Sequence, residues 1–425
     1  MRKMSLRMIA VIVLAVVCMQ FAAAAPTGQR LRNLVGSSGF LIGTITRVSF
    51  QSVDGGAYAR VGNEEFNIVT CENAMKMDAL EPSQNSFNFG EADQTVSWAQ
   101  SNGMKVHGHT LVWHNQSPQW IRNITNSNSL VSALNNHIDK VLAHFKGKIL
   151  VWDVVNEAFE DNGSYRTSFW YNVIGKNYID LAFQRARQAD PAAKLIYNDY
   201  NLAEVRAKSD AVYNMIKSMK ERGIPIDGVG FQMHLTESGI NYNSFAQNMA
   251  RFAALGCEIY VTEMDVRMPD SNRDLQKQAT IYREVLKRCV AQPACKAVQV
   301  WGIPDKYSWC MGTFPGTGIP LLFDDNYNAK PAYYAVQEVL ASGVSTPTPT
   351  PTRTPTSVPV NKGDVNGDST ITIIDALMIA QYTVGLNPAG FIAANADVNC
   401  DGNITIVDAL MVAQRYVGLI SSFPC

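Results

Sequence analysis

The chain has little net charge and almost no long apolar stretches, and both absences exclude classes of protein. Its 425 residues include 36 Lys and Arg against 37 Asp and Glu, a formal net charge of −1. That balance gives no electrostatic reason to expect nucleic acid as a partner. Beyond residues 1–25 no stretch is apolar enough to cross a bilayer, so we predict no transmembrane segment.

Two kinds of motif are also missing. No CxxC pair occurs, which disfavours a cysteine zinc site. No Gly-rich phosphate turn follows an early strand, although a doubly wound nucleotide-binding sheet usually carries one. The chain also has only six histidines.

His107 and His109 lie two residues apart on a predicted strand and face the same side, as two ligands of one metal ion would. Further ligands with matching spacing are too few, so we expect no cofactor in catalysis.

The first 25 residues are typical of a removable signal peptide, so we exclude them from the fold and expect secretion. A basic start precedes the apolar run Met8–Phe21, and Ala22–Ala25 offer small residues for cleavage. A lipoprotein anchor at Cys18 is the alternative, but the bulky Val17 precedes it where a small residue is expected.

Cysteine usage fits an exported protein, in which disulfides are permitted. Eight cysteines are present, and Cys18 lies in the leader. We predict a first disulfide between Cys289 and Cys295, which flank Pro293, and a second between Cys400 and Cys425. The remaining cysteines have no obvious mates and are expected to be buried free thiols: Cys71, Cys257 and Cys310.

Composition divides the rest of the chain into three regions. Residues 26–342 have a globular composition and form the expected catalytic domain. Residues 343–360 are a Pro/Thr tract with nothing to bury, which is typical of an extended, semi-rigid linker. Residues 361–425 form a small terminal module.

Eight apolar, β-branched segments recur within the large region, and amphipathic segments separate several of them. The pattern predicts an α/β fold, a (β/α)8 TIM barrel, with a doubly wound open sheet as the alternative. The predicted strands are Phe40–Ile45, Phe66–Cys71, Lys105–Val112, Ile149–Val155, Lys194–Asn198, Gly228–Met233, Glu258–Thr262 and Ala297–Trp301. The predicted helices include Ser129–Phe145, Tyr178–Ala189 and Ala207–Arg222. His137 and His144 fall on the first of these and are expected at its surface.

Polar and aromatic residues cluster where the predicted strands end. In a barrel these carboxyl ends carry the active site, so seven such clusters predict one polar, aromatic-walled cleft. The clusters are Cys71–Asn73, Trp113–Asn115, Asn156–Glu157, Asn198–Tyr200, Gln232–His234, Thr262–Asp265 and Trp301–Asp305.

Two glutamates in these clusters have the features of a glycosidase pair. Glu157 follows a strand that contains Trp152, and a carboxyl beside aromatic surface loses solvation, which raises its pKa and suits a general acid. Glu263 would stay ionised and attack the anomeric carbon. For either residue alone, a surface cap or ion pair is the simpler interpretation. The matching positions of the two favour catalysis.

Other cluster residues suit the binding of a sugar. His234 could bond to both Glu263 and Asp265, and so orient the nucleophile. His109 is expected to hydrogen-bond substrate hydroxyls. Lys76 follows Glu72 by one helical turn, and a salt bridge between the two is a simpler interpretation of Lys76 than sugar binding.

Tryptophan stacks on the apolar face of a pyranose, a role predicted for Trp113, Trp301 and Trp309. Trp152 and Trp98 are expected to fill the core.

The motifs VTCENAMKMDALEP, HGHTLVWHNQSPQW, VWDVVNEAFED, YNDYN and VTEMDV follow one another in order. Together they resemble the family 10 glycoside hydrolases, the retaining endo-β-1,4-xylanases, over about residues 30–340. The resemblance implies that Glu157 is the acid/base, that Glu263 is the nucleophile, and that Asp265 supports His234 and Glu263. It further implies a substrate-binding set of Glu72, Asn73, Lys76, His109, Trp113, Asn156, Gln232, His234, Trp301 and Trp309. The sequence departs from the family pattern at Cys71, Phe231, Met233 and Cys310.

The terminal module contains the near-copies DVNGDSTITIID and DVNCDGNITIVD, which start at Asp364 and Asp397. Each places oxygen donors at positions 1, 3, 5, 7 and 12 of a calcium loop and runs into an apolar helix. Position 6 is Ser369 in one copy and Gly402 in the other, and position 12 is aspartate rather than glutamate. The predicted ligands are Asp364, Asn366, Asp368, Thr370 and Asp375 for one Ca²⁺, and Asp397, Asn399, Asp401, Asn403 and Asp408 for a second.

This all-α module of two loop–helix repeats resembles a dockerin, which implies a cohesin domain of a scaffoldin as partner. Exposed apolar pairs within the loops are expected to meet that partner: Ile373, Ile374, Ile406 and Val407. The alternative is a calcium-stabilised tail with no partner. The whole chain is thus predicted to be a secreted endo-xylanase of a multienzyme complex that acts on xylan. A β-1,4-glucanase and a non-catalytic polysaccharide-binding protein are the alternatives.

Overall fold

The computed structural model describes residues 28–343 except 37, and residues 361–424 except 385, 387 and 389. The predicted signal peptide, nearly all of the Pro/Thr tract and Cys425 lie outside these residues. The chain divides into two compact units, Met1–Pro347 and Thr348–Cys425.

The first unit is a closed barrel of parallel strands. Eight of its strands pair in chain order, and the eighth also pairs with the first, which closes the sheet. The predicted (β/α)8 barrel is therefore confirmed, and the open-sheet alternative is wrong. The strands described are β1 Leu41–Thr46, β2 Ile68–Cys71, β3 Lys105–Val112, β4 Val151–Asn156, β5 Lys194–Asp199, β6 Gly228–Phe231, β7 His234–Thr236, β8 Glu258–Pro269, β9 Cys295–Val300 and β10 Thr317–Gly318.

Helices cover the outside of the barrel and begin where the sequence supplies caps. Asn126 accepts a hydrogen bond from the Ser129 amide at the start of one long helix, and Asp274 caps another in the same way. Each long helix packs an apolar face on the sheet. The α-helices of this unit are Leu31–Leu34, Ala57–Glu65, Met77–Leu80, Gly90–Ser101, Gln119–Arg122, Ser127–Phe145, Phe169–Ile174, Tyr178–Ala189, Ala207–Glu221, Tyr242–Ala254, Leu275–Ala291, Cys310–Thr313 and Pro331–Ala341.

Seven of the eight predicted strands differ from the observed bounds at one or both ends, and two of these differences shape the rim of the barrel. The sixth strand ends at Phe231, because Met233 adopts a left-handed backbone with φ +65°. The chain then forms β7, which pairs with β8. The seventh predicted strand continues to Pro269, since β7 and β10 pair with its far half beyond the barrel.

Gly108 on β3 lies against the ring of Trp152, which is fully buried as predicted. A Cβ added at Gly108 would lie 2.2 Å from Trp152 Cε3. We therefore expect Gly108→Ala to lower the free energy of unfolding by about 3 kcal/mol, since a packed core cannot yield to an extra methyl group. Urea unfolding followed by tryptophan fluorescence measures the loss. Gly312→Ala is the control, because a Cβ there meets only open space. Equal stability of the two variants would contradict this packing argument.

The cysteine predictions are confirmed where the structure describes the residues. Cys289 and Cys295 form a disulfide, which ties the end of a helix to the start of β9. Cys71, Cys257 and Cys310 are buried free thiols. The predicted partner of Cys400 lies outside the described residues, so that pairing stays a prediction.

The prediction of a surface position for His137 is wrong. Its side chain is fully buried, and its Nδ1 lies 2.8 Å from Glu81 Oε2. The sequence of the helix could not show that the Glu81 carboxylate, from another segment, lies next to the imidazole and provides the hydrogen bond that a buried polar group needs. His144 is half-buried and pairs with Asp93. Trp98 is also half-buried, against the barrel core.

The second unit is a helix pair, Ile373–Thr383 and Ile406–Tyr416, each following one of the repeated loops. Thr372 and Asp375 form a capping box on the first helix, and Thr405 and Asp408 form the same box on the second. The core is small and consists of Val365, Ala376, Met378, Ile379, Ala396, Val398, Ala409 and Val412. Across the described residues of both units, no helix has the length and hydropathy that a bilayer crossing needs.

Candidate active site

A cavity of about 630 Å³ opens at the carboxyl ends of the barrel strands. Glu157, directly after β4, and Glu263, within β8, both line it. The structure also brings together all ten residues predicted to bind substrate, namely Glu72, Asn73, Lys76, His109, Trp113, Asn156, Gln232, His234, Trp301 and Trp309.

A chain of amides joins the two glutamates. Asn198 Nδ2 donates to Glu263 Oε1 at 2.8 Å and to Asn156 Oδ1 at 3.1 Å. On the other side, Asn156 Nδ2 and Gln232 Nε2 donate to Glu157 Oε1 at 3.2 and 3.0 Å. These side chains are almost fully buried, so the network fixes both carboxyls relative to one another before any ligand arrives.

Glu157 occupies a left-handed backbone conformation, with φ +57°. Such a conformation costs free energy in a non-glycine residue, and its neighbours hold it. The Glu157 amide donates to Asn198 O at 2.9 Å, and Arg166 Nε donates to Glu157 O at 2.9 Å. The aromatic neighbour of the carboxyl is Trp113, whose indole N–H donates to Oε2 at 2.9 Å. Trp152 faces the core instead.

Glu263 is only 5% exposed, and its surroundings favour the ionised form. Burial disfavours the charge, but the hydrogen bond from His234 and the electrostatic influence of His109 and His234 outweigh it. The pKa of Glu263 is therefore lowered from its usual value. His234 Nε2 lies 3.1 Å from Glu263 Oε2 and Nδ1 lies 2.8 Å from Asp265 Oδ2, which confirms the predicted bridge.

His234 is held in its charged form. Burial alone would lower the pKa of His234, but Asp265 and Glu263 raise it to about 10. Both ring nitrogens then carry protons and donate, one to each carboxylate. Asp265 is fully buried and also accepts a 2.7 Å hydrogen bond from the Trp309 indole. It therefore positions the histidine and one wall of the cavity at once.

His107 and His109 share a buried carboxylate. Asp153 Oδ1 lies 2.9 Å from His107 Nε2, and Asp153 Oδ2 lies 2.7 Å from His109 Nδ1. Burial disfavours the Asp153 charge, yet the two imidazoles lower its pKa to about 2. Gln299 occupies the other nitrogen of His107 at 2.7 Å, so that ring has no lone pair left for a metal. His109 is left to present its ring to the cavity.

Lys76 does not form the salt bridge with Glu72 that one helical turn suggested. Glu72 accepts two hydrogen bonds from the guanidinium of Arg47. Lys76 Nζ donates instead to Asn73 Oδ1 at 3.0 Å and to Gln116 Oε1 at 2.7 Å. Burial lowers the pKa of Lys76, against the pull of nearby carboxylates. These polar groups form one end of the cavity and suit hydroxyl groups of a ligand.

The structure adds residues that the sequence prediction did not assign to the site. Asn198 belongs to the noted NDY cluster, and that signal could have found it. Asp153 could not be found, because its role depends on two histidines of another strand. Further lining residues had no role assigned from the sequence. Gln116 and Asn201 lie within the quoted motifs, Arg267 lies in the far half of β8, and Arg47 and Phe314 lie in connecting segments.

The repeated loops of the second unit curl around their aspartates. Asp364 accepts hydrogen bonds from the amides of Gly367 and Ser369, at 2.8 and 3.0 Å. Ser369 and Gly402 both take left-handed backbones, with φ +70° and +86°, so the serine departure keeps the turn. The predicted ligand positions supply carboxylate, amide and carbonyl oxygens within one loop, a donor set that fits a hard cation such as Ca²⁺.

The predicted apolar pairs beside these loops are exposed. Between 48% and 61% of each residue is accessible in Ile373, Ile374, Ile406 and Val407. Leu377 and Leu410 extend the apolar surface by one helical turn on each helix, at 57% exposure each. An apolar surface of this kind on a small module is typical of a protein interaction site.

Comparisons with known proteins agree with this geometry. The model of glycosyl hydrolase family 10 matches residues 30–339, and that of the dockerin type I domain matches residues 362–416. Endo-1,4-beta-xylanase B of Thermotoga neapolitana is 48% identical over 315 residues, which are 73% of this chain and 91% of that protein. The crystal structure of native xylanase 10B from Thermotoga maritima is 49% identical and covers 74% of this chain and 99% of its own, with a TM-score of 0.73. This chain therefore belongs to glycosyl hydrolase family 10 and carries a C-terminal type I dockerin domain.

Proposed function

We propose that this glycoside hydrolase cleaves internal β-1,4 bonds of xylan and retains the anomeric configuration. The observation that carries the proposal is the pair of carboxyls in one cavity with different surroundings. Glu263 has a charged histidine to keep it ionised, whereas Glu157 has only neutral N–H donors around its carboxyl. Such a difference suits one nucleophile and one acid/base. The xylanases among the relatives support xylan as the substrate.

In the first step Glu157 gives a proton to the leaving oxygen while Glu263 attacks the anomeric carbon. A covalent glycosyl-enzyme forms, and the aglycone departs. Glu157, now ionised, takes a proton from water, which displaces Glu263 and restores both carboxyls. Two inversions at one carbon give net retention, which requires carboxyls about 5–5.5 Å apart. The buried network of Asn156, Asn198 and Gln232 maintains their spacing.

The remaining cavity residues bind the polymer. Trp301 and Trp309 lie near His109 and His234, with centroid distances of 5.7 Å for Trp301–His109 and 4.7 Å for Trp309–His234. Flat indole faces beside charged or polar rings suit a pyranose, which has apolar faces and polar edges. We assign hydroxyl binding to Glu72, Asn73, Lys76, His109, Asn156 and Gln232, and stacking to the tryptophans, Trp113 included.

Hydrolysis of xylan with analysis of the product anomer tests substrate and mechanism together. Proton NMR at early times should show the β-anomer forming first, before mutarotation. An initial α-anomer would be incompatible with double displacement. Cellulose serves as the comparison substrate, and faster release of reducing sugar from cellulose than from xylan would favour a β-1,4-glucanase instead.

The pH profile tests the role of His234. Because its charge lowers the pKa of Glu263, we expect His234→Gln to move the acidic limb of kcat/KM to higher pH. The nucleophile would then gain its proton, and lose its activity, earlier on acidification. His144→Gln is the control, since His144 pairs with Asp93 away from the cavity. An acidic limb that stays in place in His234→Gln would argue against this assignment.

We further propose that the protein is secreted by a signal peptide at residues 1–25. The catalytic domain would span 26–342, the linker 343–360 and the dockerin module 361–425. Two Ca²⁺ ions would be held by the two ligand sets named from the sequence, and no cofactor would enter catalysis. A cohesin domain would bind the exposed apolar pairs and attach the enzyme to an extracellular multienzyme complex.

A further inference from the structure

The cavity contains one lysine or arginine whose charged group makes no hydrogen bond and no ion pair with the barrel residues that the structure describes. Arg47, Lys76 and Arg267 are its lining lysine and arginines. Arg47 is committed to Glu72 through two hydrogen bonds, and Lys76 donates to two side-chain amide oxygens. The Arg267 guanidinium, by contrast, pairs with no carboxylate and donates no hydrogen bond among the residues that the structure describes.

Arg267 is nevertheless held in a defined place. Its guanidinium carbon lies 3.9 Å from the ring centroid of Phe314, and the Phe314 ring meets Trp309 edge-on at 5.2 Å. Stacking uses the flat face of a guanidinium and leaves its N–H edge free to donate. The guanidinium is therefore oriented, partly desolvated and without an ion-pair partner in the described barrel. A cation in this situation is suited to bind an anion from a ligand.

The position of Arg267 indicates which part of a substrate it can reach. Glu263 and Arg267 lie on the same strand, β8, four residues apart, and so project to the same side of it. At ~3.3 Å per residue, their backbones are roughly 13 Å apart. The guanidinium stacks on Phe314 and forms no hydrogen bond or ion pair with Glu157 or Glu263 in the described barrel, so we place it away from the bond being cleaved. It faces a neighbouring sugar unit or a branch attached to one.

We propose that Arg267 binds a carboxylate carried by the polysaccharide, so that the enzyme prefers chains with uronic acid branches. A planar guanidinium accepts a carboxylate through two parallel hydrogen bonds, a geometry that a neutral hydroxyl does not match. Arg267 is thus a specificity-determining residue, and it takes no part in bond cleavage. The inference rests on the proposed function, because it assumes that the cavity binds a β-1,4-linked polymer.

The test uses one substrate with and without its charge. Xylan oligosaccharides that carry a uronic acid branch are compared with the same oligosaccharides after reduction of the carboxyl to a primary alcohol. For the full-length wild-type protein in low salt, we expect kcat/KM to be at least roughly ten-fold higher on the acidic form. In Arg267→Gln that ratio should fall to about one, while kcat/KM on the reduced form changes less than about three-fold.

Matched variants separate this role from packing and from net charge. Arg283→Gln removes the same charge from an exposed pair with Glu338 and should keep the wild-type ratio. Arg267→Lys keeps the charge without the planar fork and should give an intermediate ratio. Equal losses on both substrates in Arg267→Gln, or a wild-type ratio near one, would overturn the inference. If the wild type cleaved neither substrate, the proposed function itself would fail.

Discussion

Replacing Glu263 with alanine should reduce kcat on xylan at least roughly 10⁴-fold, which corresponds to about 5.5 kcal/mol of lost transition-state stabilisation. The variant retains Glu157 and the cavity but has no group to form the covalent bond. The Glu263 side chain is hydrogen-bonded to Asn198 and His234, whereas its backbone amide donates to Gln232 O. The substitution leaves that backbone bond in place, so the fold should survive the change. Steady-state hydrolysis and a urea unfolding curve measure the two quantities separately.

Chemical rescue distinguishes a lost nucleophile from a damaged site. A small anion such as azide can enter the space that Glu263 leaves and attack the anomeric carbon once, which gives a glycosyl azide of inverted configuration. Glu258→Ala is the matched control, because Glu258 begins the same strand but pairs with Lys194 at the other end. Near-normal turnover of Glu263→Ala without azide would refute the assignment of the nucleophile.

Removal of calcium should weaken binding of the full-length protein to a cohesin by at least about 10³-fold, while hydrolysis of soluble xylan continues. The second unit buries few apolar residues, so its folding needs the free energy that ion binding adds. Without Ca²⁺ the aspartates of each loop repel one another, and the helices that carry Ile373 and Ile406 lose their support. Cohesin capture in chelator and in excess Ca²⁺ measures the change, and circular dichroism reports the helices.

A double variant, Asp364→Ala with Asp397→Ala, should reproduce the effect of the chelator in the presence of Ca²⁺. The control is Asp325→Ala, which removes an exposed carboxylate of the barrel instead. Cohesin binding that persists in chelator would contradict the calcium assignment. Absence of cohesin binding under every condition would favour the alternative of a calcium-stabilised tail without that partner.

Part of the fold and much of the cavity could be predicted, because each depends on short segments. A buried parallel strand is an apolar run, and the first polar residues mark its end. Asn156 and Glu157 could therefore be placed at the carboxyl end of a strand from the sequence. The same reasoning extended the sixth strand to Met233, whereas the left-handed backbone of Met233 separates the end of β6 from the start of β7. The surface position predicted for His137 was also wrong, although the helical period places His137 on the same face as the buried Leu134 and Val141.

The amino-acid sequence could not show which side chains pair with one another across the barrel. Glu72 has a lysine four residues away but pairs with Arg47, which comes from a different loop. In the sequence, Asp153 cannot be told from any other strand residue that faces the core. In the structure, it pairs with His107 and His109 of the neighbouring strand β3. Arg267 is an ordinary strand arginine in the sequence. In the structure it lines the cavity, stacks on Phe314 and forms no ion pair with any carboxylate of the described residues.

The sequence by itself determined the (β/α)8 fold, the repeated oxygen-rich loops and the strand-end positions of the two glutamates that we propose as catalytic, since these follow from local hydrophobic periodicity and from ordered motifs. Tertiary structure alone decided what surrounds each glutamate. The charge state of Glu263 depends on His234 and Asp265, and the amides that join it to Glu157 come from three different strands or their ends. A pKa or an ion pair depends on distance through space, and the linear order of residues does not fix that distance until the barrel closes.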